Sequence, residues 1–130
     1  MKRIRFDWTN FLFVIGAHLL AVFAIVYLTV IHFSWWTIGF SLVWATLCGL
    51  SITAGYHRLF SHRSYKASPL LRAVYLAFGS ASVQNSALSW SGDHRAHHAN
   101  VDGDGDPYNI QRGFWWAHIG WVVTRSNRRH

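Results

Sequence analysis

The hydrophobic positions of this sequence form one long block near the N-terminus. From Trp8 to His57 there is no Asp, Glu, Lys or Arg, so that about fifty consecutive residues carry no formal charge. A helix crosses a bilayer core with about 20 apolar residues, so the block has the length of two spans and a tight turn. We place the spans at about residues 11–31 and 35–56, with His32–Ser34 between them. The pattern predicts a transmembrane helical hairpin.

Basic residues flank this hairpin on both sides. They are Lys2, Arg3 and Arg5 before it and Arg58, Arg63, Lys66 and Arg72 after it. Because cytoplasmic loops carry an excess of Lys and Arg, we expect both ends of the hairpin and both termini in the cytoplasm, with residues 1–10 as a cytoplasmic N-terminal segment. The net charge of +7 is then explained by topology, and we expect no nucleic-acid partner.

Residues 57–130 differ from the hairpin and are expected at the cytoplasmic face of the membrane. Ser68–Pro69 is typical of a helix start. Residues 73–92 are uncharged but rich in Ser, Asn and Gln, which favours an amphipathic surface helix over a third span. Residues 93–111 resemble a loop, and a short aromatic stretch follows at 114–123. The expected fold class is therefore an all-α, multi-pass integral membrane protein.

Composition narrows the chemistry. A single cysteine, Cys48, excludes a disulfide framework and a thiolate zinc finger.

Asp102, Asp104 and Asp106 imitate the start of a calcium loop, but Pro107 stands where such a loop needs Gly, so we expect a hydrogen-bonded turn instead. His18 lies in the middle of the first span, and we expect a structural imidazole bonded across the hairpin.

Five of the nine histidines fall into two clusters, which we call box 1 (residues 57–62) and box 2 (residues 94–98). In box 2, His94, His97 and His98 share one face of an α-helix, where three imidazoles can ligate a metal ion. In box 1, His57 and His62 lie about 140° apart on an ideal α-helix. Either the helix ends between these two residues, or they serve different metal ions.

The ligand chemistry favours a transition metal. Imidazole-rich and carboxylate-poor sites suit Fe, Zn or Cu better than Mg or Ca. The sequence has no HExxH motif, so the zinc-protease arrangement is absent. The simpler alternative to a metal site is that both clusters are surface histidines near a basic membrane face. Two clusters facing a bilayer from one side indicate iron that works with dioxygen on a hydrocarbon chain.

Three segments carry a resemblance to a known family: HRLFSHRSYKA, QNSALSWSGDHRAHH and DGDPYNIQRGFWWAHIGW. They resemble the membrane-bound acyl-CoA Δ9 (stearoyl-CoA) fatty acid desaturases, particularly the bacterial branch. The similarity runs from the hairpin to Arg125. The two boxes alone also fit membrane hydroxylases, whereas the residues between and after them are more specific to the desaturases.

The resemblance implies an oxidoreductase that inserts a cis double bond into a long saturated acyl chain, using two iron ions, dioxygen and two electrons. It implies acyl-CoA or another acyl carrier as substrate, and ferredoxin or cytochrome b5 as electron donor. It also implies that Gln84 and Trp90 line the kink of an acyl tunnel, and that Asn85, Asp93 and Arg125 lie near the activated head group. The implied iron ligands are His57, His62, His94, His97 and His98.

The chain also departs from the family pattern. Gly92 and Ser126 replace basic residues that would contact a phosphorylated carrier, which leaves CoA, a carrier protein and an intact lipid open as the acyl carrier. A second hairpin and a third box of HxxHH type do not follow Arg125. We therefore expect an N-terminal part of a desaturase, truncated before the second hairpin and inactive by itself.

Two alternatives remain at this point. A di-iron fatty-acid or alkane hydroxylase would use the same ligands and would release an alcohol instead of an alkene. A non-catalytic membrane fragment would bind metal or nothing.

Overall fold

A computed structural model describes residues 5–125 of this chain, and Arg125 through its backbone alone. The structure is mostly helical. The α-helices are α1 (Trp8–Val26), α2 (Trp35–Leu50), α3 (Pro69–Ala81) and α4 (Ala87–Ala99). The shorter helical segments are the π-helices Tyr27–Ile31, Ser51–Ser61 and Trp116–Gly120 and the 3-10 turn Ile110–Arg112. Two short strands, β1 (Arg5–Phe6) and β2 (Thr124–Arg125), complete the described elements.

Two of the helical stretches are long and apolar enough to cross a membrane. They run over Trp8–Ile31 and Trp35–Ser61, and each combines an α-helix with the π-helical segment that follows it. The first begins at Trp8 because Asp7 caps it, its Oδ1 accepting the Asn10 N–H at 3.2 Å. Both stretches include the expected spans, and the second continues five residues beyond Tyr56. Their insertion as a hairpin remains a prediction.

The chain forms two compact units, and the first comprises Met1–Trp35 with Tyr108–Arg129. Its chain ends are joined by the antiparallel pair β1–β2, in which Phe6 lies opposite Thr124. The Asp7 N–H continues this pairing with a bond to the Val123 carbonyl at 2.8 Å. Two-residue strands have no alternating pattern, so the sequence carried no signal for them. The all-α expectation is corrected to a mostly helical fold with one short strand pair.

The second unit comprises Trp36–Pro107. Here the π-helix Ser51–Ser61 packs against α3 and α4, and Tyr56 is fully buried. A Cβ on Gly79 would lie 2.4 Å from Cε1 of the Tyr56 ring, and a Cβ on Gly55 would lie 2.7 Å from Cβ of Tyr75. The two glycines therefore let aromatic side chains reach the facing backbone.

One expected helix is divided in two. Residues 73–92 do not form a continuous surface helix, because α3 ends at Ala81 and α4 begins only at Ala87. Val83 and Asn85 between them have φ values of 58° and 71°, a left-handed conformation that no α-helix contains. The Ser68 cap and the Pro69 start of α3 are confirmed, the Ser68 Oγ accepting the Leu71 N–H at 3.3 Å. The loop expected from residue 93 begins only after Ala99.

Candidate metal centre

The π-helical winding of box 1 determines where its two histidines lie. The His62 N–H donates to the His57 carbonyl at 3.0 Å, five residues earlier instead of the four of an α-helix. This winding stacks residues five apart, and the two ring centroids are 4.6 Å from each other. The helix does end at Ser61, one residue before His62. The expectation that the rings face apart is wrong, however, because it assumed α-helical spacing.

Four imidazoles converge in the second unit. The ligand nitrogens of His57, His62, His94 and His98 all lie within 4.8 Å of one another. The Nε2 atom of His94 is 3.0 Å from Nε2 of His62 and 3.1 Å from Nε2 of His98. Imidazole nitrogens at about 2.1 Å from a metal ion and at right angles to each other are about 3.0 Å apart. The two short distances therefore fit ligands of one ion, and imidazole ligands suit Fe, Zn or Cu.

His94 occupies the middle of this group and is held in its neutral form. Its partial burial and the neighbouring imidazoles of His57, His98, His62 and His97 lower the pKa of His94 to about 4. At neutral pH the ring therefore carries a free lone pair, which is the form that binds metal ions.

His97 lies beside the four-histidine group and contacts a carboxylate. Its Nδ1 is 2.8 Å from Oδ2 of Asp106, whose side chain is fully buried. The Asp102 N–H donates to the same oxygen at 3.0 Å. Of the three box 2 histidines, His94 and His98 therefore converge, while His97 has a different neighbour. A carboxylate at Nδ1 favours the tautomer with its proton there, so that Nε2 carries the lone pair that can bind a metal ion.

The contact of Asp106 with His97 was not predicted from the sequence. The aspartates of residues 102–106 were predicted only to form a turn, and turn bonds are present at Gly103 and Asp106. The partner of His97 is nine residues away and on a different element, so helical periodicity cannot indicate it. The one sign of this contact in the sequence is that the aspartate-containing turn at residues 102–106 follows soon after box 2.

Two of the predicted substrate residues lie at the histidine group. The Trp90 ring stacks on His94 with a centroid distance of 4.9 Å and an interplanar angle of 24°. The Trp90 indole Nε1 donates to Gln84 Oε1 at 3.2 Å. An apolar ring held by a polar partner therefore forms one wall of the centre.

For the other three predicted substrate residues, the structure gives the element in which each lies. Asn85 is exposed in the turn between α3 and α4. Asp93 precedes His94 in α4 and is buried. Arg125 belongs to β2 of the first unit, and its side chain lies outside the described part of the chain. The substrate roles of all three remain predictions.

His18 makes a local hydrogen bond. Its Nδ1 donates to the Val14 carbonyl at 2.8 Å, one turn earlier in the same helix. This bond satisfies one nitrogen of the ring, and the bond expected across the hairpin remains a prediction.

Comparison with known proteins was made for the whole chain, and no protein-family model matches it. The chain is 42% identical over 123 residues to a probable acyl-CoA desaturase of Schizosaccharomyces pombe. It is 40% identical over 124 residues to an sn-1 stearoyl-lipid 9-desaturase of Anabaena variabilis, and 41% identical over 125 residues to stearoyl-CoA desaturase 5 of Bos taurus.

These similarities extend over 93–95% of this chain but over only 25%, 44% and 36% of the three relatives. The chain thus corresponds to less than half the length of each of these proteins. The resemblance to the acyl-CoA and stearoyl-CoA desaturases that the histidine motifs indicated is confirmed.

Proposed function

We propose that this chain is part of a membrane-bound fatty acid desaturase and supplies its first two groups of iron ligands. The observation that carries the proposal is the convergence of four imidazoles from box 1 and box 2 beside the Trp90 ring. The names of the relatives support a fatty acyl substrate, since each of the three is a desaturase. None of the three names indicates a hydroxylase.

The five box histidines would hold iron, and the complete site would contain two iron ions. When bound, iron would supply the oxidising chemistry by which two hydrogens leave adjacent methylenes, while dioxygen, two electrons and two protons together with those hydrogens give two water molecules. His57, His62, His94 and His98, whose ligand nitrogens lie within 4.8 Å of one another, would supply most of these histidine ligands. His97 would offer Nε2 to an ion, because Asp106 occupies its Nδ1.

The protein's own contribution is to fix ligands and exclude water. Stacking on Trp90 holds the His94 ring in one orientation, and the bond from Trp90 to Gln84 fixes the indole in turn. The indole also presents an apolar surface next to the metal ligands, which suits a methylene chain. Gln84 and Trp90 would thus orient the acyl chain, with Asn85, Asp93 and Arg125 nearer to its head group.

The acyl carrier is proposed as CoA or a membrane lipid. The relatives are named for both, one as a stearoyl-lipid desaturase and others as acyl-CoA desaturases. In the family pattern a basic residue at the position of Gly92 would contact a phosphorylated carrier such as CoA. Because this chain has Gly there, a lipid substrate should be tested before acyl-CoA. A one-electron carrier such as ferredoxin or cytochrome b5 would deliver the electrons.

A metal titration tests the centre. We expect the chain, purified in detergent micelles under anaerobic conditions, to bind Fe(II) or Co(II) with imidazole ligands. Replacing His57 or His98 with Ala should weaken binding strongly, whereas His118→Ala, in the first unit, should not. Equal affinities in all three variants would contradict the ligand assignment.

We expect the 130-residue chain, expressed alone, to be catalytically silent. Five histidines are too few to complete the coordination of two iron ions, and metal affinity falls with each missing ligand. The measurement is product analysis after incubation with stearoyl-CoA and a reduced ferredoxin system. Unsaturated product from the chain alone would contradict this expectation, and a hydroxylated product would favour the hydroxylase alternative.

We also propose that both ends of the hairpin face the cytoplasm. In a Cys48→Ala background, an impermeant thiol reagent applied from outside should label Ser34→Cys and not Thr9→Cys or Ala99→Cys. Ser34 and Ala99 lie outside both apolar stretches, and Thr9 lies in the first turn of the first stretch, before the predicted span begins at residue 11. Labelling of Ala99→Cys from outside would contradict the predicted topology.

A further inference from the structure

The second unit contains a cationic pocket that the proposed iron chemistry does not use. It has a volume of about 630 Å³, within the range of small-molecule sites. The lining residues are Leu59, Phe60, Arg63, Tyr65, Lys66, Ala67 and Arg72. Three of these seven residues are cations, none is an acid, and the remainder are apolar or aromatic.

The charge of this pocket is not neutralised within the protein. Within residues 5–125, none of Arg63, Lys66 and Arg72 takes part in an ion pair. The chain has five acidic residues, all Asp, and none of them lines the pocket. Three cations around one concave surface repel one another, so an anion entering the pocket would relieve that repulsion.

The pocket wall is held in place by specific bonds. The Ser64 N–H and Oγ both donate to the Arg58 carbonyl, at 2.9 Å each. The Tyr65 hydroxyl donates to the Ala54 carbonyl at 2.7 Å, and burial together with a bond to Tyr75 raises the pKa of Tyr65 to about 12. The loop that carries two of the cations is therefore fixed at both the backbone and the side-chain level.

Arg63 occupies a conformation that an arginine rarely adopts. Its φ is 51°, in the left-handed region where glycine is favoured. A glycine there would relieve the backbone, so the arginine side chain is retained at a cost to local stability. Such a cost is expected where the side chain has a task of its own.

The location of the pocket identifies its environment. It begins at Leu59, in the last turn of the apolar stretch Trp35–Ser61, and continues to Arg72 in the first turn of α3. If that stretch spans the membrane, the cations lie at the level of the lipid headgroups, and Leu59 and Phe60 lie toward the acyl chains.

From these observations we propose that the pocket binds the phosphate group of an anionic phospholipid, with Arg63, Lys66 and Arg72 around the phosphate and Leu59 and Phe60 against the first methylenes. None of the four converging histidines lines the pocket, and the proposal does not require the chain to be a desaturase. It would anchor the end of the second long helix, and with it box 1, at the membrane surface.

Lipid binding to the whole chain tests this proposal. The chain in neutral detergent micelles is titrated with phosphatidylglycerol, and retained lipid is counted by native mass spectrometry. We expect one phosphatidylglycerol per chain, against little phosphatidylcholine, and no retention of soluble glycerol 3-phosphate. Comparable retention of phosphatidylcholine would overturn the proposal, as would tight binding of glycerol 3-phosphate without a lipid tail.

Matched charge variants locate the site. The double variant Arg63→Gln/Arg72→Gln should weaken phosphatidylglycerol binding about fivefold for each cation removed. The control Arg58→Gln/Arg95→Gln removes the same charge from exposed residues of the second unit that do not line the pocket, and should change binding little. Equal losses in both doubles would show a general charge effect and overturn the proposal.

A third variant separates the side chain from the fold. Arg63→Gly removes a pocket cation and relieves the left-handed backbone, so we expect equal or higher thermal stability together with weaker lipid binding. Unchanged lipid binding in this variant would count against the site.

Displacement of phosphatidylglycerol by stearoyl-CoA at lower concentration would also overturn the proposal, since the pocket would then belong to the acyl carrier. Metal binding of these variants is measured in parallel, so that failure of the lipid site is distinguished from failure of the histidine centre.

Discussion

The two long apolar helical stretches have similar sequence patterns and different surroundings. Trp8–Ile31, all of it described, contains no buried residue, and its His18 bonds to a carbonyl of the same helix. Trp35–Ser61 is equally free of charge until Arg58, but its last eleven residues form a π-helix that is packed against α3 and α4. Each stretch contains one histidine, yet only His57, near the end of the second, gathers with other candidate ligands.

The difference shows what hydropathy does and does not decide. An uncharged block determines that a segment is suited to a bilayer, and both stretches meet that condition. A metal site needs ligands from separate elements, which only packing brings together. The second stretch acquires its site because Gly55 and Gly79 allow aromatic rings to pack closely at its end.

The largest expected difference between the two stretches is in metal affinity. His62→Ala, one residue beyond the second stretch, removes one of four converging ligands and should weaken Fe(II) or Co(II) binding by at least about 100-fold. His18→Ala, in the first stretch, should leave the affinity unchanged. Isothermal titration of both variants in micelles is the measurement. A similar loss for His18→Ala would show that the two stretches are not functionally distinct.

Close packing gives the second contrast. Gly79→Ala places a methyl group against the fully buried Tyr56 ring and should lower the free energy of unfolding by about 1–3 kcal/mol. Gly39→Ala, in the exposed part of α2, meets nothing within 4 Å and should leave stability unchanged or raise it by up to about 1 kcal/mol. Tryptophan fluorescence during denaturation in micelles measures both. Equal effects would indicate that the end of the second stretch is no better packed than its exposed part.

The aspartate behind box 2 should have a smaller effect. Asp106→Ala leaves the Asp102 N–H and the His97 ring without their acceptor, and should cost about 1–3 kcal/mol locally. Asp104→Ala, exposed two residues earlier, is the control and should cost little. Hydrogen exchange of the Asp102 amide reports the change. If protection at Asp102 survived in the Asp106 variant, the carboxylate would not be what orders this loop.

The smallest expected effect is a pH dependence of the metal-free chain. The pKa of His94 is about 4 in the folded chain and about 6.5 when unfolded, because burial and neighbouring imidazoles disfavour the charged ring. Between these values the unfolded state binds more protons, so stability should be full above pH 6.5 and decline as the pH falls toward 4. Thermal unfolding across this range is the measurement, and His94→Gln should flatten the curve. A stability that rose on acidification through this range would contradict the lowered pKa.

Local patterns in the sequence determined a large part of this protein. The uncharged block located both long helices, the Ser68–Pro69 pair located the start of α3, and the histidine spacing located the candidate ligands. The motifs around the boxes also indicated the desaturases, to which the chain is similar over nearly its whole length. These features are predictable because hydropathy, capping and ligand type are properties of neighbouring residues.

Only the tertiary structure decided how the ligands meet. The π-helical winding that stacks His57 and His62 depends on packing against α3 and α4, and an α-helical periodicity argument gives the opposite orientation. The bond between His97 and Asp106 and the cationic pocket both join residues from different elements. The physical reason is that short-range preferences fix each element, whereas the free energy that selects one winding or one partner comes from contacts between elements.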